Sequence, residues 1–204
     1  MSPTQRERVR DLLDHHGRTY ADEAGITLRD KPAPLYQLLT LVTLFSVPIS
    51  AGVAVAAARE LFAAGWRTPE HLLGSTWQQR VDALGRGHYR RYDESTATAL
   101  QESAEHLRAA WGGDLRRVRD DAEGDADGIQ ERIARFPRIG PTGAAIFCRE
   151  VQQVWPSVRP FFDQRAVDGA RDAGLPTDVG RLAALVHDDD LARFAAALVR
   201  RELT

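Results

Sequence analysis

The residues with the clearest chemical potential lie between positions 129 and 163. Gly140, Pro141, Thr142 and Gly143 have the pattern of a helix start, where backbone N–H groups lack a partner and carry the partial positive charge of the helix. Because glycine has no side chain, a bulky anion can approach the backbone closely at Gly140 and Gly143. Phosphate suits such a site, and a nucleic-acid backbone supplies phosphates in series. An ordinary turn in a helical bundle is the simpler alternative.

A carboxylate follows further along the chain. Asp163 precedes the residues Gln-Arg-Ala-Val, which predict the start of another helix. Taken alone, an aspartate in this place is usually an N-cap whose side chain accepts a backbone N–H. A carboxylate held beside a reacting centre can also stabilise a developing positive charge. The two roles are compatible, because a cap would hold the carboxylate in place.

Two short helices must position these groups. Pro137 ends the first helix, Gly140 supplies a residue that tolerates a left-handed turn, and Pro141 suits the start of the second helix. Apolar residues recur at helical spacing on both sides of the turn, at Ile129, Ile133, Phe136, Ala144, Phe147, Cys148, Val151 and Val154. The pattern predicts two helices joined by a tight hairpin.

Composition narrows the class of protein. The chain has 204 residues, of which 43% are hydrophobic, and can bury a sizeable core. Its net charge of −2 is not that of a general nucleic-acid binder, so any basic face must be local. The single cysteine, Cys148, excludes an internal disulfide or a four-cysteine cluster within one chain. No metal site is expected, and the charged N-terminal segment predicts a cytoplasmic protein.

Residues 32–58 contain no charge, which raises the question of a membrane span. Polar residues and Pro48 interrupt the run, so we predict a buried core helix over residues 35–45, a loop, and a second helix capped by Ser50 and ended by Gly65. Elsewhere, the spacing of Ser2 with Gln5 and of Ser75 with Gln78 predicts capping boxes. The sequence shows no convincing strand and predicts an all-α protein.

The most basic and aromatic short stretch lies at residues 85–92. It includes His88, Tyr89, Arg90, Arg91 and Tyr92, and it interrupts the helical pattern. Arginines interleaved with aromatic residues suit contact with a phosphate backbone and an unstacked base. A solvated loop with two tyrosines packed on the core accounts for the stretch about equally well.

These motifs resemble a known family. The run Phe136-Pro-Arg-Ile-Gly-Pro-Thr-Gly-Ala-Ala-Ile-Phe147 resembles the helix-hairpin-helix of the endonuclease-III-like DNA glycosylases, and Leu38-Leu-Thr-Leu-Val-Thr-Leu-Phe-Ser46 looks like the buried helix of that family. The resemblance covers roughly residues 35–174. It implies a two-lobed helical bundle with DNA between the lobes. Residues 35–154 would form the central lobe, and residues 1–34 with 155–204 would form the second lobe.

The resemblance also implies a reaction. The family's catalytic aspartate stands at the position of Asp163, where it would stabilise the positive charge that develops on deoxyribose when a base leaves. Members that also cut the strand carry a lysine where this chain has Thr142, and Lys31, the only lysine, lies in a distant linker. We therefore expect a monofunctional DNA glycosylase of base excision repair, which removes a damaged or mispaired base.

Further site residues follow from the same resemblance. Contacts with duplex DNA are expected from Arg138, Ile139, Gly140, Pro141, Thr142, Gly143, Arg165, Arg90 and Arg91. A base pocket or wedge is expected from Pro48, Ile49, His88, Tyr89 and Tyr92, with Phe161 and Phe162 as further stacking candidates that also suit a core. The family's iron–sulfur loop is absent, so the expected cofactors are none beyond a monovalent cation at the hairpin. The expected protein is a monomer that binds duplex DNA and no membrane.

Two other functions stay open at this point. A helix-hairpin-helix protein without catalysis would bind and recognise distorted DNA. A helical interaction module would act without nucleic acid. Duplex binding that weakens steeply with salt but leads to no excision would favour the first, and absence of such binding would favour the second.

Overall fold

The computed structural model describes residues 4–202, with the side chains of residues 201 and 202 excepted. Within that part of the chain the regular structure is entirely helical, which confirms the predicted all-α class. The α-helices are α1 (Gln5–His16), α2 (Tyr20–Glu23), α3 (Pro32–Leu44), α4 (Ala51–Ala63), α5 (Pro69–Leu73), α6 (Trp77–Arg86), α7 (Asp93–Trp111), α8 (Arg116–Asp121), α9 (Ala126–Ile133), α10 (Pro141–Val151), α11 (Gln164–Asp172), α12 (Val179–Ala183) and α13 (Leu191–Glu202). Short 3₁₀ helices lie at Pro156–Val158 and Asp188–Asp190.

Hydroxyl and carboxyl side chains define many of the helix starts. Each accepts a backbone N–H of the first turn, as expected of an N-cap, at Thr4, Thr19, Ser50, Thr68, Thr76, Asp125, Asp163 and Asp178. The box predicted at Ser75 forms one residue later, between Thr76 and Gln79. Ser2 lies outside the described residues, and Thr4 with Glu7 forms the capping box of α1.

Helix α3 lies at the centre of the larger core. Its leucines Leu35, Leu38, Leu41 and Leu44 are fully buried. The run without charges therefore forms a buried helix, a loop that contains Pro48, and α4 after its Ser50 cap, as predicted. A helix that is apolar all round is typical of a bundle centre. Within residues 4–202, none of the helices combines the length and the hydropathy that a bilayer crossing requires.

The buried apolar residues form two clusters. The larger surrounds α3 and extends from Tyr20 to Val158, and the smaller joins α1, α11 and α13. The two-lobed bundle is thus present, but residues 20–28 pack in the larger cluster, through Tyr20, Ala21, Ala24, Ile26 and Leu28. The predicted assignment of these residues to the terminal lobe is wrong, because their apolar side chains are buried against α3 and its neighbours. Trp155 and Val158, which the prediction also assigned to the terminal lobe, are buried in the larger cluster as well. The other domain limits stay a prediction.

Helices α11 and α13 approach each other closely at Gly169. A Cβ atom built there would lie 2.2 Å from the carbonyl oxygen of Leu198. Only glycine fits this crossing without a shift of the backbone. Because α11 begins next to Asp163, this contact also fixes the position of the candidate carboxylate relative to the terminal helix.

Candidate nucleic-acid interface

The predicted hairpin connects α9 to α10. Its left-handed residue is Arg138, with φ of 62°, whereas Gly140 has an extended conformation with φ of −92° and ψ of −173°. The prediction of a left-handed turn at Gly140 is therefore wrong. The Arg138 side chain donates from Nη1 to Oγ of Ser95 at 3.2 Å, and this contact accompanies the unusual backbone conformation.

The hairpin presents fewer backbone donors than predicted. The amide of Ile139 donates to the carbonyl oxygen of Phe136 at 2.9 Å, and Pro141 has no N–H. The amides of Gly140, Thr142 and Gly143 have no acceptor among the residues that the structure describes, and Gly140 provides no side-chain cap. These three amides, at the positive end of α10, are the part of the hairpin that could bind an anion.

The two glycines serve different purposes. A Cβ atom at Gly140 would meet nothing within 4 Å, so this position is open to a ligand. A Cβ atom at Gly143 would lie 3.0 Å from Cγ2 of Ile139 and 3.4 Å from Cγ1 of Val42. Gly143 is buried, and its missing side chain allows α10 to pack against α3. The expected close approach of an anion past Gly143 therefore does not follow, although its amide stays without an acceptor.

A cleft of about 640 Å³ opens beside the start of α10. Its walls come from the end of α3 and the following loop, from α10, from the start of α11, and from Tyr20 and Val199 near the chain ends. The structure thus brings together five of the predicted site residues, which lie far apart in the sequence: Pro48, Ile49, Thr142, Asp163 and Arg165. Apolar side chains, including Phe45 and Ile146, form much of the remaining surface.

Asp163 is both an N-cap and a residue of the cleft wall. Its Oδ1 accepts the backbone N–H of Ala166 at 3.0 Å, and its Oδ2 accepts a hydrogen bond from Nη1 of Arg149 at 2.5 Å. The side chain of Asp163 is 10% exposed, and that of Arg149 is 1% exposed. Asp163 is therefore an N-cap whose carboxylate faces the cleft. Its position is compatible with the capping role and with the charge-stabilising role.

Arg149 is a residue of the cleft that the sequence pattern did not predict. The sequence does contain an indication of these residues, because the charged Arg149 and Glu150 stand between the apolar Cys148 and Val151 of α10. Charged residues in such a place are rarely buried unless they are paired. Their partners, however, come from other parts of the chain, which the periodicity of one helix does not specify.

Glu150, on α10, has its carboxyl group buried against the start of α2. Its Oε2 accepts the backbone N–H of Ala21 at 2.9 Å, whereas its Oε1 has no hydrogen-bond partner among the described residues. Burial raises the pKa of the Glu150 carboxyl, and the nearby charges of Arg149 and Arg200 oppose that shift. The folded protein therefore holds the proton of Glu150 more tightly than the unfolded chain does.

This pKa shift predicts a pH-dependent difference between the wild type and Glu150→Gln. As the pH rises above about 4.5, near the ordinary glutamate value, the unfolded chain releases the proton first, so the wild type loses free energy of unfolding. Glutamine does not titrate and is spared this loss. We expect the melting temperature of the variant, minus that of the wild type, to increase from about pH 4.5 to neutral pH. Thermal unfolding across that range measures it, and a constant or shrinking difference would contradict the interpretation.

The basic loop at residues 87–92 divides between core and surface. Tyr89 is fully buried, and its hydroxyl donates to the carbonyl oxygen of Leu44 at 2.9 Å. Burial raises the pKa of Tyr89. Tyr89 therefore cannot stack on an extruded base, and that prediction is wrong. Arg90 and Arg91 are exposed, and His88 is an exposed residue with φ of 63°.

The rings of the other aromatic candidates pack against other side chains of the protein. Tyr92 is half-buried, and the guanidinium carbon of Arg91 lies 5.3 Å from its ring centre. Phe162 packs in the smaller core, with its ring centre 6.0 Å from that of Phe194. Phe161 packs at the edge of the larger core. Because these rings already pack against other residues, none of the three presents a fully free face to an extruded base.

Two hydrogen bonds place the basic loop beside the hairpin. One joins Arg138 to Ser95 at the start of α7, and the other joins Tyr89 to Leu44 at the end of α3. The loop after α3 carries Pro48 and Ile49 to the cleft. The predicted phosphate-binding and wedge segments are therefore neighbours in the fold.

Arg138 offers a direct test of the hairpin. Glycine adopts its left-handed conformation without cost, so Arg138→Gly removes the cation with little effect on the turn. We expect duplex affinity to fall and the slope of log affinity against log salt concentration to decrease in size by about 1. Titrations at several salt concentrations measure both. Arg10→Ala, at an exposed position of α1, is the control, and an unchanged slope in Arg138→Gly would exclude a phosphate contact.

Two solved structures are similar to this chain over most of its length. One similar structure is a trapped covalent intermediate of endonuclease III with DNA, the estranged-adenine complex, with 15% sequence identity and a TM-score of 0.49. A second is a non-covalent complex of endonuclease III with DNA, with 16% identity and a TM-score of 0.47. Each comparison covers 97% of this chain and 85% of the other chain. The sequence matches no protein-family model and no curated protein.

Proposed function

We propose that this protein is a monofunctional DNA glycosylase that removes a damaged or mispaired base from duplex DNA. The observation that carries the proposal is the position of the Asp163 carboxylate on the wall of a cleft that Thr142, at the start of the hairpin helix, also lines. An anion cradle and a carboxylate at one opening suit a nucleotide, because its phosphate and its sugar need opposite charges.

The chemistry follows from what the cleft contains. The target nucleotide leaves the base stack and enters a pocket, and a cleft of about 640 Å³ lies within the usual size of ligand pockets. As the bond from sugar to base breaks, positive charge develops on the sugar. The Asp163 carboxylate stabilises that charge and orients the attacking water. The apolar walls around Phe45 and Ile146 accept the base.

Binding of duplex DNA relies on local charge. The amides of Gly140, Thr142 and Gly143 bind one phosphate, and Arg138, Arg90 and Arg91 extend the contact along the backbone. Arg165 acts at the mouth of the cleft. Pro48 and Ile49 form an apolar wedge in the space that the extruded nucleotide vacates. The sequence holds a single cysteine, so we propose that catalysis needs no iron–sulfur cluster.

The direct test is a panel of duplexes that each contain one damaged or mispaired base. Abasic sites formed by the protein are revealed by alkaline cleavage of the strand. Excision of at least one lesion by the wild type, but not of the matching normal duplex, is the expected result. No excision across a broad panel, with the protein folded and in excess, would overturn the glycosylase proposal.

We further expect no strand cleavage and no covalent intermediate. A lyase step needs an amine that forms a Schiff base with the sugar, and Thr142 offers none. Lys31 lies outside the cleft, at the start of α3. Borohydride added during turnover should therefore trap no protein–DNA adduct. A trapped adduct that disappears in Lys31→Ala would show that the lysine takes part.

A second candidate is a DNA-binding protein that recognises distorted DNA without catalysis. The observation that favours it is the ion pair of Asp163 with Arg149, which partly neutralises the carboxylate. This candidate predicts affinity for mismatched or abasic duplexes that falls steeply with salt, together with no excision on the same panel.

A further inference from the structure

We propose that Arg149 is a positioning residue that fixes the Asp163 carboxylate for the reaction. This inference rests on the proposed function, and it assigns a role to a side chain that the helix-hairpin-helix resemblance does not include. Arg149 lies on α10, fourteen positions before Asp163, and its side chain is 1% exposed. It also contributes to the wall of the cleft.

The surroundings of Arg149 are unusual for a residue that only stabilises the fold. Its Nη1 donates to Oδ2 of Asp163 at 2.5 Å, but its Nε has no hydrogen-bond partner among the described residues. A buried guanidinium with an unsatisfied donor is costly, and an apolar side chain of similar volume is often as stable in such a place. Stability alone therefore gives a weak reason for an arginine here.

The two oxygens of Asp163 are restrained from two directions. The backbone N–H of Ala166 holds Oδ1, and Arg149 holds Oδ2. With both contacts present, the plane of the carboxylate is fixed, and its other lone pairs remain for a ligand in the cleft. Without Arg149, the carboxylate keeps only the cap contact and can rotate about its side-chain bonds.

An aromatic ring also lies close to the Arg149 guanidinium. The guanidinium carbon lies 5.9 Å from the ring centre of Tyr20, a residue that also lines the cleft. Arg149 therefore contacts Tyr20 as well as Asp163, and all three residues line the cleft.

Two effects of Arg149 on the reaction oppose each other. Its charge weakens the negative potential at the sugar, whereas its hydrogen bond places the carboxylate in advance of the reaction. Since Asp163 already lies in one fixed geometry, placement is the larger effect, because a preorganised charge needs no rearrangement as the transition state forms. Removal of Arg149 should therefore slow excision, and a faster reaction would show that the charge effect is larger.

The test uses single-turnover excision with wild type, Arg149→Met, Arg149→Lys, Asp163→Asn and the double variant Arg149→Met with Asp163→Asn. We expect Arg149→Met to slow excision by about 10-fold or more with unchanged duplex affinity, and Arg149→Lys to recover most of that loss. In the Asp163→Asn background, Arg149→Met should have no further effect, because Arg149 acts through the carboxylate. Equal losses in both backgrounds, with lowered melting temperatures, would indicate a structural role only.

A binding measurement keeps the inference testable without turnover. One duplex carries a pyrrolidine abasic-site analogue, whose ring is cationic, and the other carries the neutral tetrahydrofuran analogue. The wild type should prefer the cationic ring by about 10-fold or more, as a mimic of the transition state, and Arg149→Met should lose that preference. Preference retained in Arg149→Met would overturn the role of Arg149 alone. No excision and no preference in the wild type would overturn the proposed function and the role of Arg149 with it.

Discussion

Asp163→Asn is expected to lower the single-turnover rate of base excision by about 100- to 1,000-fold, because it removes the charge that is proposed to stabilise the sugar cation. Asparagine has nearly the same shape and is an equally good N-cap, so α11 should still begin at Gln164. Duplex affinity should change little, because the proposed phosphate contacts lie at the hairpin. The measurement is excision under enzyme excess, together with a binding titration on the same duplex.

The loss of activity must be separated from a loss of stability. Asp163→Asn leaves Arg149 buried without a charged partner, which typically costs about 3–5 kcal/mol, so the assay temperature must lie well below the melting temperature of the variant. Asp178→Asn is the matched control, since Asp178 also caps a helix, by accepting the N–H of Arg181 at 2.9 Å, but lies outside the cleft. A folded Asp163→Asn protein with wild-type rates would exclude a catalytic carboxylate at this position.

Gly169→Ala should be among the most destabilising single-methyl changes in the protein. The added Cβ would lie 2.2 Å from the carbonyl oxygen of Leu198 and 2.8 Å from its carbonyl carbon, and neither atom can move without the backbone. Overpacking of this kind costs up to about 3 kcal/mol. For a domain of this size, that loss lowers the melting temperature by roughly 6–12 °C.

Gly85→Ala provides the opposite control. Gly85 lies inside α6, and a Cβ atom there would meet nothing within 4 Å. Alanine favours the helix over glycine by about 0.5–1 kcal/mol, so this variant should be slightly more stable than the wild type. Thermal and denaturant unfolding of both variants measure the difference. A Gly169→Ala protein as stable as the wild type would mean that α11 and α13 are not held at the distance described.

Local sequence patterns predicted the helices well. The uncharged run gave α3 and α4 with a loop at Pro48, and the cap at Ser50 was correct. The cap predicted at Ser75 lies one residue later, at Thr76, because serine and threonine are both common N-caps. Apolar spacing and capping chemistry act over a few residues, so they are visible in the sequence itself.

The site was predictable only in part. The hairpin and Asp163 were placed from their order in the chain, and the structure brings Thr142 and Asp163 to one cleft. Arg149 was missed, and Tyr89 follows the core alternative and not the stacking role. In both cases the partners depend on packing between separate helices: Tyr89 bonds to Leu44, 45 positions away. The left-handed residue was assigned to Gly140 on propensity, whereas a contact with Ser95 accompanies it at Arg138.

Because Val199 of α13 forms part of the cleft wall, the cleft depends on a segment that is synthesised late. Tyr20 comes from the beginning of the chain, Val199 from α13, and the guanidinium carbon of Arg200 lies 4.3 Å from the Tyr20 ring centre. On the ribosome, the hairpin and Asp163 emerge before α13, so a nascent chain would hold its reactive groups with one wall of the cleft missing. The cleft described here would therefore be complete only once α13 has been synthesised and has packed beside Tyr20.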